Sequence, residues 1–156
     1  NVPPWLGVDR ALAGWGAFQK AQKLSSMSTN GLLIADAGTV LSLTKISSHG
    51  KFEGGQLAAG LNLQLKAMSE GTQNLKYPLK TTYPKRKFPK STDEAMFRGS
   101  LESLIGMIKQ AKEDSAGTLW ICGGDGPIIF HALQERNIEV FHHPNLVLEG
   151  MIDLKS

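Results

Sequence analysis

Hydrophobic and polar positions switch repeatedly between a helical and an extended period along this chain. Ala11, Leu12, Trp15, Phe18, Ala21 and Leu24 recur at helical spacing, which predicts an amphipathic helix over residues 10–24. The polar run 25–31 closes it as a loop. Residues 32–34 are wholly apolar, 40–46 alternate, and 51–57 follow a turn at His49-Gly50, so three consecutive strands are expected. Helical spacing returns over 58–71 through Leu61, Leu65 and Met68. Residues 73–90 form a long loop with three prolines. Ser91 and Glu94 then have the spacing of a capping box, heading a helix that carries Phe97, Leu101, Leu104, Ile105, Ile108 and Ala111 on one face. A strand over 118–121, a helix over 127–136, a strand over 138–141 and a helix over 146–154 complete the pattern. Hairpin strands followed by alternating helices and strands predict an α/β fold, a mixed sheet with helices on its faces.

Composition narrows the class. With 156 residues, 41% of them hydrophobic and 20% charged, the chain is long enough to bury a real core and is not of disordered type. No apolar run approaches the roughly 18 residues of a membrane helix, and no signal peptide is visible, so no membrane partner is expected. Cys122 is the single cysteine, which excludes an internal disulfide and favours a cytoplasmic location. The net charge of +3 slightly favours an anionic ligand without demanding nucleic acid.

Several stretches carry candidate chemistry. Asp36-Ala37-Gly38-Thr39 interrupts two apolar runs. Gly38 would let backbone N–H groups approach phosphate oxygens, Thr39 could donate its hydroxyl, and Asp36 would need a cation to neutralise it. A plain hairpin turn explains the same residues. In Gly7-Val8-Asp9-Arg10, Asp9 fits a helix N-cap, and equally a general base beside an arginine that grips an anion. Cys122-Gly123-Gly124-Asp125-Gly126 ends a strand and opens a helix, where nucleotides dock and where small turn residues are common anyway. Gly54, Gly55 and Gly60 would permit close approach of a second backbone or a ligand, or mark a strand end. Lys76, Lys80, Lys85, Arg86, Lys87 and Lys90 are interleaved with Tyr77, Tyr83 and Phe88. That pattern suits single-stranded nucleic acid, although a solvated loop is the stronger reading. His142-His143, with Cys122, His131 and His49, lacks paired metal-ligand spacing. Cys122 has no obvious base nearby and fits a buried small residue.

Taken in order, these motifs resemble type III pantothenate kinases, the Bvg accessory factor family of the acetate kinase/Hsp70/actin-like superfamily. The resemblance rests on residues 7–10, 36–39, Gly-Lys-Phe-Glu-Gly-Gly-Gln-Leu-Ala-Ala-Gly at 50–60, Ser-Thr-Asp-Glu-Ala-Met at 91–96, Cys-Gly-Gly-Asp at 122–125 and Leu-Val-Leu-Glu-Gly at 146–150. It implies an actin-like, ribonuclease H-like fold. Residues 1–31 would be a connecting segment and helix, and 32–156 the C-terminal ATPase sub-domain of a two-sub-domain kinase. It further implies ATP-dependent phosphorylation of pantothenate, the first step of coenzyme A biosynthesis, with Mg2+ on the ATP. Gly7, Val8, Asp9 and Arg10 would contact pantothenate, with Asp9 as the base. Asp36 would hold a monovalent cation, potassium or ammonium. Gly38, Thr39, Gly123 and Gly124 would lie at the nucleotide, and Thr92 would complete the neighbouring subunit's site in a homodimer.

The chain departs from the family pattern in several places. Ala59 replaces a proline, Cys122 stands where threonine is commoner, 72–76 reads Thr-Gln-Asn-Leu-Lys, and a small insertion falls around residues 23–30. The family's first phosphate loop, Asp-x-Gly-Asn-Thr, is not in these residues, so the sequence is expected to be a fragment of the kinase. The alternative is a non-catalytic regulatory or interaction module related to it.

Overall fold

The computed structural model describes residues 4–79 and 83–153. Its elements, in chain order, are α1 (Val8–Lys23), β1 (Leu32–Ala37), β2 (Val40–Ile46), β3 (Phe52–Ala59), α2 (Leu61–Gly71), α3 (Thr92–Ser115), β4 (Thr118–Cys122), α4 (Gly126–Gln134), β5 (Phe141–His142) and α5 (Leu146–Asp153). This is the order the hydrophobic periodicity predicts. The strands form one five-stranded sheet in the order β3-β2-β1-β4-β5. β2 runs antiparallel to β1 and β3, while β1, β4 and β5 are mutually parallel. A mixed sheet of this order, with only its second strand reversed, is the ribonuclease H-like arrangement of the actin-like fold.

Strand alternation divides the core between the two faces of the sheet. Leu32, Ile34, Ile46, Trp120 and Cys122 pack against Ala13, Ala17, Phe18 and Ala21 of α1 and Leu146 of α5. Leu33, Ala35, Ala37, Leu41, Leu43, Leu119 and Ile121 face the opposite way, onto α2, α3 and α4. β1 is buried on both faces because it has a hydrogen-bonded neighbour on each side and helices above and below. That explains its unbroken apolar run. Ser91 caps α3 as its spacing predicts: its hydroxyl accepts from the Glu94 N–H at 3.4 Å and donates to the Glu94 carboxylate at 3.1 Å.

Some boundaries differ from the sequence expectation. β1 continues past Ile34 to Ala37, because Asp36 pairs with Ser42 on one side and Cys122 on the other. The turn is therefore Gly38-Thr39 alone. β3 extends to Ala59, and α2 starts at Leu61 rather than Ala58. Ala58 and Ala59 favour a helix locally, but pairing with Leu41 and Val40 holds them in the sheet. The residue capping α1 is Gly7, which places Asp9 within the first helical turn rather than at the cap. The last strand shrinks to Phe141–His142, opposite Trp120 and Ile121. In the long basic loop, residues 73–79 and 83–90 form no helix or strand, while Lys80 lies outside the described residues. Leu154, the expected end of the last helix, also lies outside them. No helix among the described residues is long and apolar enough to cross a membrane.

Candidate active site

The sheet register assembles a polar row that the sequence pattern did not disclose. Asp36, at the end of β1, lies between Ser42 of β2 and Cys122 of β4, with Thr44 one step further along the face that packs under α1. Ser42, Thr44 and Cys122 are buried, and Asp36 is half-buried. Polar side chains at these positions interrupt an otherwise apolar sheet face, which makes the row a candidate site. The available signal was the alternation in 40–46, where Ser42 and Thr44 share a face.

α1 brings the second group of residues to this row. Arg10 donates from Nε to the Thr44 hydroxyl at 3.3 Å, and its guanidinium sits 5.8 Å from the centre of the Phe52 ring. It crosses β3 at Gly55, where a Cβ would collide with its Nη2 and with the Leu43 carbonyl. Glycine at this position makes room for the arginine. Gly7, Val8 and Asp9 are exposed beside it, and no ion pair or hydrogen bond engages the Asp9 carboxylate among the described residues.

The electrostatics tie the two groups together. Burial pushes the Asp36 carboxyl above its ordinary pKa, the nearby charge of Asp9 pushes it further, and a hydrogen bond donated by the Cys122 thiol opposes both. The thiol is pushed up to about 12, by burial first and then by the charge and hydrogen bond of Asp36. It stays protonated at neutral pH, so it acts as a donor to the carboxylate and not as a nucleophile. Burial also raises the Asp125 carboxyl. Among the described residues no lysine or arginine pairs with Asp9 or Asp36. Two interacting carboxylates without a counter-ion make a place for a cation.

The sign of this shift gives a stability prediction. Asp36 binds its proton more tightly in the folded than in the unfolded chain, so stability falls as pH rises through the window between the two pKa values. Above that window the ionised carboxylate remains a standing cost. Asp36→Asn is therefore expected to raise the melting temperature at neutral pH, with the gain shrinking as the pH falls toward about 4. Thermal melts of both forms across that range check it, and an unchanged or lower melting temperature at neutral pH overturns it.

Two glycine turns flank the acidic pair. The Gly60 N–H donates to the Thr39 carbonyl at 2.9 Å, fixing the Gly38-Thr39 turn against the start of α2. The Asp125 N–H donates to the Ala37 carbonyl at 2.8 Å, which ties the β4–α4 turn to the β1–β2 turn. Gly123 has φ of +89°, and a Cβ there would stand 2.6 Å from Asp36 Oδ1. The surroundings of Gly124 are open, and Thr39 is exposed. The N–H groups of Thr39 and Gly124 meet no acceptor among the described residues. Free backbone donors on paired turns, next to a cation-seeking pair of acids, suit a polyphosphate with its metal ion.

The structure thus brings Asp36, Gly38, Thr39, Gly123 and Gly124 together at one end of the sheet, with the charge of Asp9 acting on Asp36 and Arg10 bonded to Thr44 on the same face. It leaves Thr92 apart, exposed at the head of α3, a helix of the opposite face. His142 stacks on Phe130 and His143 lies tilted against Trp120, and no group of three or more His, Cys, Asp and Glu able to hold a metal ion occurs among the described residues. Sequence reasoning missed Ser42 and Thr44, and it missed that Cys122 is the β4 register partner of Asp36.

Comparison with known proteins gives the chain's family. Residues 1–114 match the family model described as type III pantothenate kinase. A type III pantothenate kinase of Rhodopirellula baltica is 29% identical over 160 residues, spanning 99% of this chain and 56% of that protein. One from Synechococcus sp. (strain JA-3-3Ab) is 31% identical, over 95% of this chain and 61% of that protein. The chain therefore spans somewhat over half the length of these curated relatives. Among solved structures, a Baf family protein from Campylobacter jejuni, described as a transcriptional activator, shares the fold with a TM-score of 0.69 at 21% identity. That match covers 99% of this chain and 65% of the other.

Proposed function

The chain belongs to the type III pantothenate kinase family, and from that premise we propose that the intact protein transfers the γ-phosphoryl group of ATP to the primary hydroxyl of pantothenate. The product is 4′-phosphopantothenate. The observation that carries this reading is the electrostatic coupling of Asp9 and Asp36 beside two glycine turns with free N–H groups. Phosphoryl transfer needs positioning and charge neutralisation more than covalent help from the protein; the turns would supply the positioning, and a cation held by the carboxylate the neutralisation.

In this proposal Asp9 accepts the proton of the pantothenate hydroxyl, and Gly7, Val8 and Arg10 seat the substrate. Arg10, held by Thr44 and Phe52, anchors the substrate carboxylate. Gly38, Thr39, Gly123 and Gly124 cradle the nucleotide phosphates. Asp36 holds a monovalent cation, potassium or ammonium, and its uncompensated, half-buried carboxylate fits such an ion. Mg2+ and this cation would neutralise charge on the phosphates. Residues 32–156 serve as the C-terminal sub-domain, residues 1–31 as the segment leading into it, and a first sub-domain supplies the other phosphate loop.

We further propose a homodimer in which Thr92 reaches the neighbouring subunit's substrate. Its exposed place on the far side of the sheet from Asp9 supports this, as does the open space over Gly99 and Gly106 on the same helix. The single buried thiol supports a cytoplasmic location. The test is pantothenate-dependent ADP release by the intact protein in the presence of Mg2+ and potassium. Release is expected to require all of them, and no release under these conditions overturns the reading.

A further inference from the structure

A cleft of about 710 Å3 lies away from the Asp9–Asp36 site, between the 83–88 segment, α3 and the end of α4. That is within the range of small-molecule pockets, which run from about 300 to 1,000 Å3. Its floor is a fixed pair of guanidiniums. Arg98 Nη2 and Arg136 Nη2 both bond the same carboxylate oxygen of Glu102, each at 2.6 Å. Arg136 is held from behind by the Ala132 carbonyl at 2.6 Å, and Arg98 by the Pro84 carbonyl at 3.2 Å. The Arg98 side chain is only 9% exposed, yet its buried Nε has no acceptor.

Part of this arrangement has a purely structural account, since Arg98 staples the 83–88 segment to α3. That account leaves the rest unexplained. Lys85 and Lys87 line the cleft with no carboxylate partner among the described residues, and Phe88 lies 91% exposed at its rim. Tyr83 forms the other aromatic wall, with Arg98 5.0 Å over its ring and its hydroxyl donating to Glu135 at 3.3 Å. Two lysines and two arginines against Glu102 and Glu135 leave a surplus of two positive charges in the lining.

We propose that this cleft binds a phosphate monoester carried on a flat ring. A phosphate monoester at neutral pH bears between about −1.5 and −2 charges, which matches that surplus. Paired guanidiniums suit its oxygens, and Phe88 and Tyr83 offer faces for the ring. A surplus sized for one phosphate, in a cleft rather than along a groove, disfavours the repeating charge of nucleic acid.

The test is calorimetric titration of the chain, at low ionic strength, with phenyl phosphate, inorganic phosphate and a thymidine oligonucleotide. Phenyl phosphate is expected to bind several-fold tighter than inorganic phosphate. Lys85→Ala/Lys87→Ala is expected to weaken both by about tenfold. Phe88→Ala should remove the preference for the ring and leave inorganic phosphate unchanged. These side chains are exposed, so circular dichroism should show the native fold in each variant. Absence of phenyl phosphate binding overturns the proposal. So does binding that the double lysine variant retains, because the ligand would then sit elsewhere, for example at the glycine turns. An oligonucleotide that binds more tightly than phenyl phosphate would give the cleft to nucleic acid and overturn it as well.

Discussion

Asp9→Asn in the intact protein is expected to lower kcat by about a hundred- to ten-thousand-fold, the usual range for loss of a general base. The amide has the same size and can still accept a hydrogen bond from the substrate hydroxyl, but it cannot take the proton. KM for pantothenate should therefore move little, because Arg10 and the first turn of α1 still seat the substrate. The fold should survive. Asp9 is exposed and engages no partner among the described residues, so its removal forfeits only the interaction of a carboxylate with the helix N-terminus, about 0.3–1 kcal/mol. Relief of repulsion on Asp36 offsets part of that. A second readout separates this role from a merely structural one. The charge of Asp9 is one of the causes that raise the Asp36 carboxyl, so in Asp9→Asn that carboxyl should titrate at lower pH. Carboxyl-carbon NMR titration of Asp36 reads it directly. Retained kcat would remove Asp9 as the base, whereas lost kcat with an unmoved Asp36 titration would break the coupling on which the site was built.

Much of the fold follows from periodicity. The helices and strands occur in the order their apolar spacing predicts, and Ser91 with Glu94 forms the cap its spacing predicts. The boundaries that moved at the β1–β2 turn and at the end of β3 did so for one physical reason. Ala58, Ala59, Asp36 and Ala37 have weak or contrary strand propensity, yet ladder pairing with β2 and β4 keeps them extended. The site divides along the same line. Asp9, Asp36 and the glycine turns stand out as residue types in short motifs. The row from Ser42 through Asp36 to Cys122 depends on register across three strands, which no local pattern encodes. The reason for Gly55 was equally hidden, because it lies in the path of Arg10, a side chain 45 positions earlier in the sequence. The basic loop reads as solvated charge, and only the folded chain shows Lys85 and Lys87 beside Arg98 and Arg136.

A single added methyl group is expected to cost much stability at Gly123, where it falls inside the candidate site. Two costs coincide there. With φ at +89° an alanine would occupy backbone space that L residues rarely adopt, a strain of about 1–2 kcal/mol. Its Cβ would also stand 2.6 Å from Asp36 Oδ1 and crowd the Ala37 carbonyl. That carbonyl cannot retreat freely, because it accepts the 2.8 Å hydrogen bond from Asp125 that ties the two turns together. Breaking this bond, or displacing the buried end of β1, adds cost of the kind seen in overpacked cores, about 1–3 kcal/mol. Gly123→Ala should thus lose about 2–5 kcal/mol, a large share of the ~5–15 kcal/mol that holds a typical domain together. Gly60→Ala separates the two terms. Its φ of −67° is ordinary, so only crowding applies, with a Cβ 2.6 Å from the Thr39 carbonyl oxygen and against that of Gly38. Gly124→Ala supplies the control, since nothing lies within 4 Å of its added methyl group, and it should stay within about 0.5 kcal/mol of the parent. Urea melts of the three variants check this: Gly124→Ala near the parent, with Gly60→Ala below it by crowding alone and Gly123→Ala below it by crowding and strain together. If Gly123→Ala matched Gly124→Ala, the two turns would not be locked to each other, and a cradle fixed in advance for the nucleotide phosphates would have no structural basis.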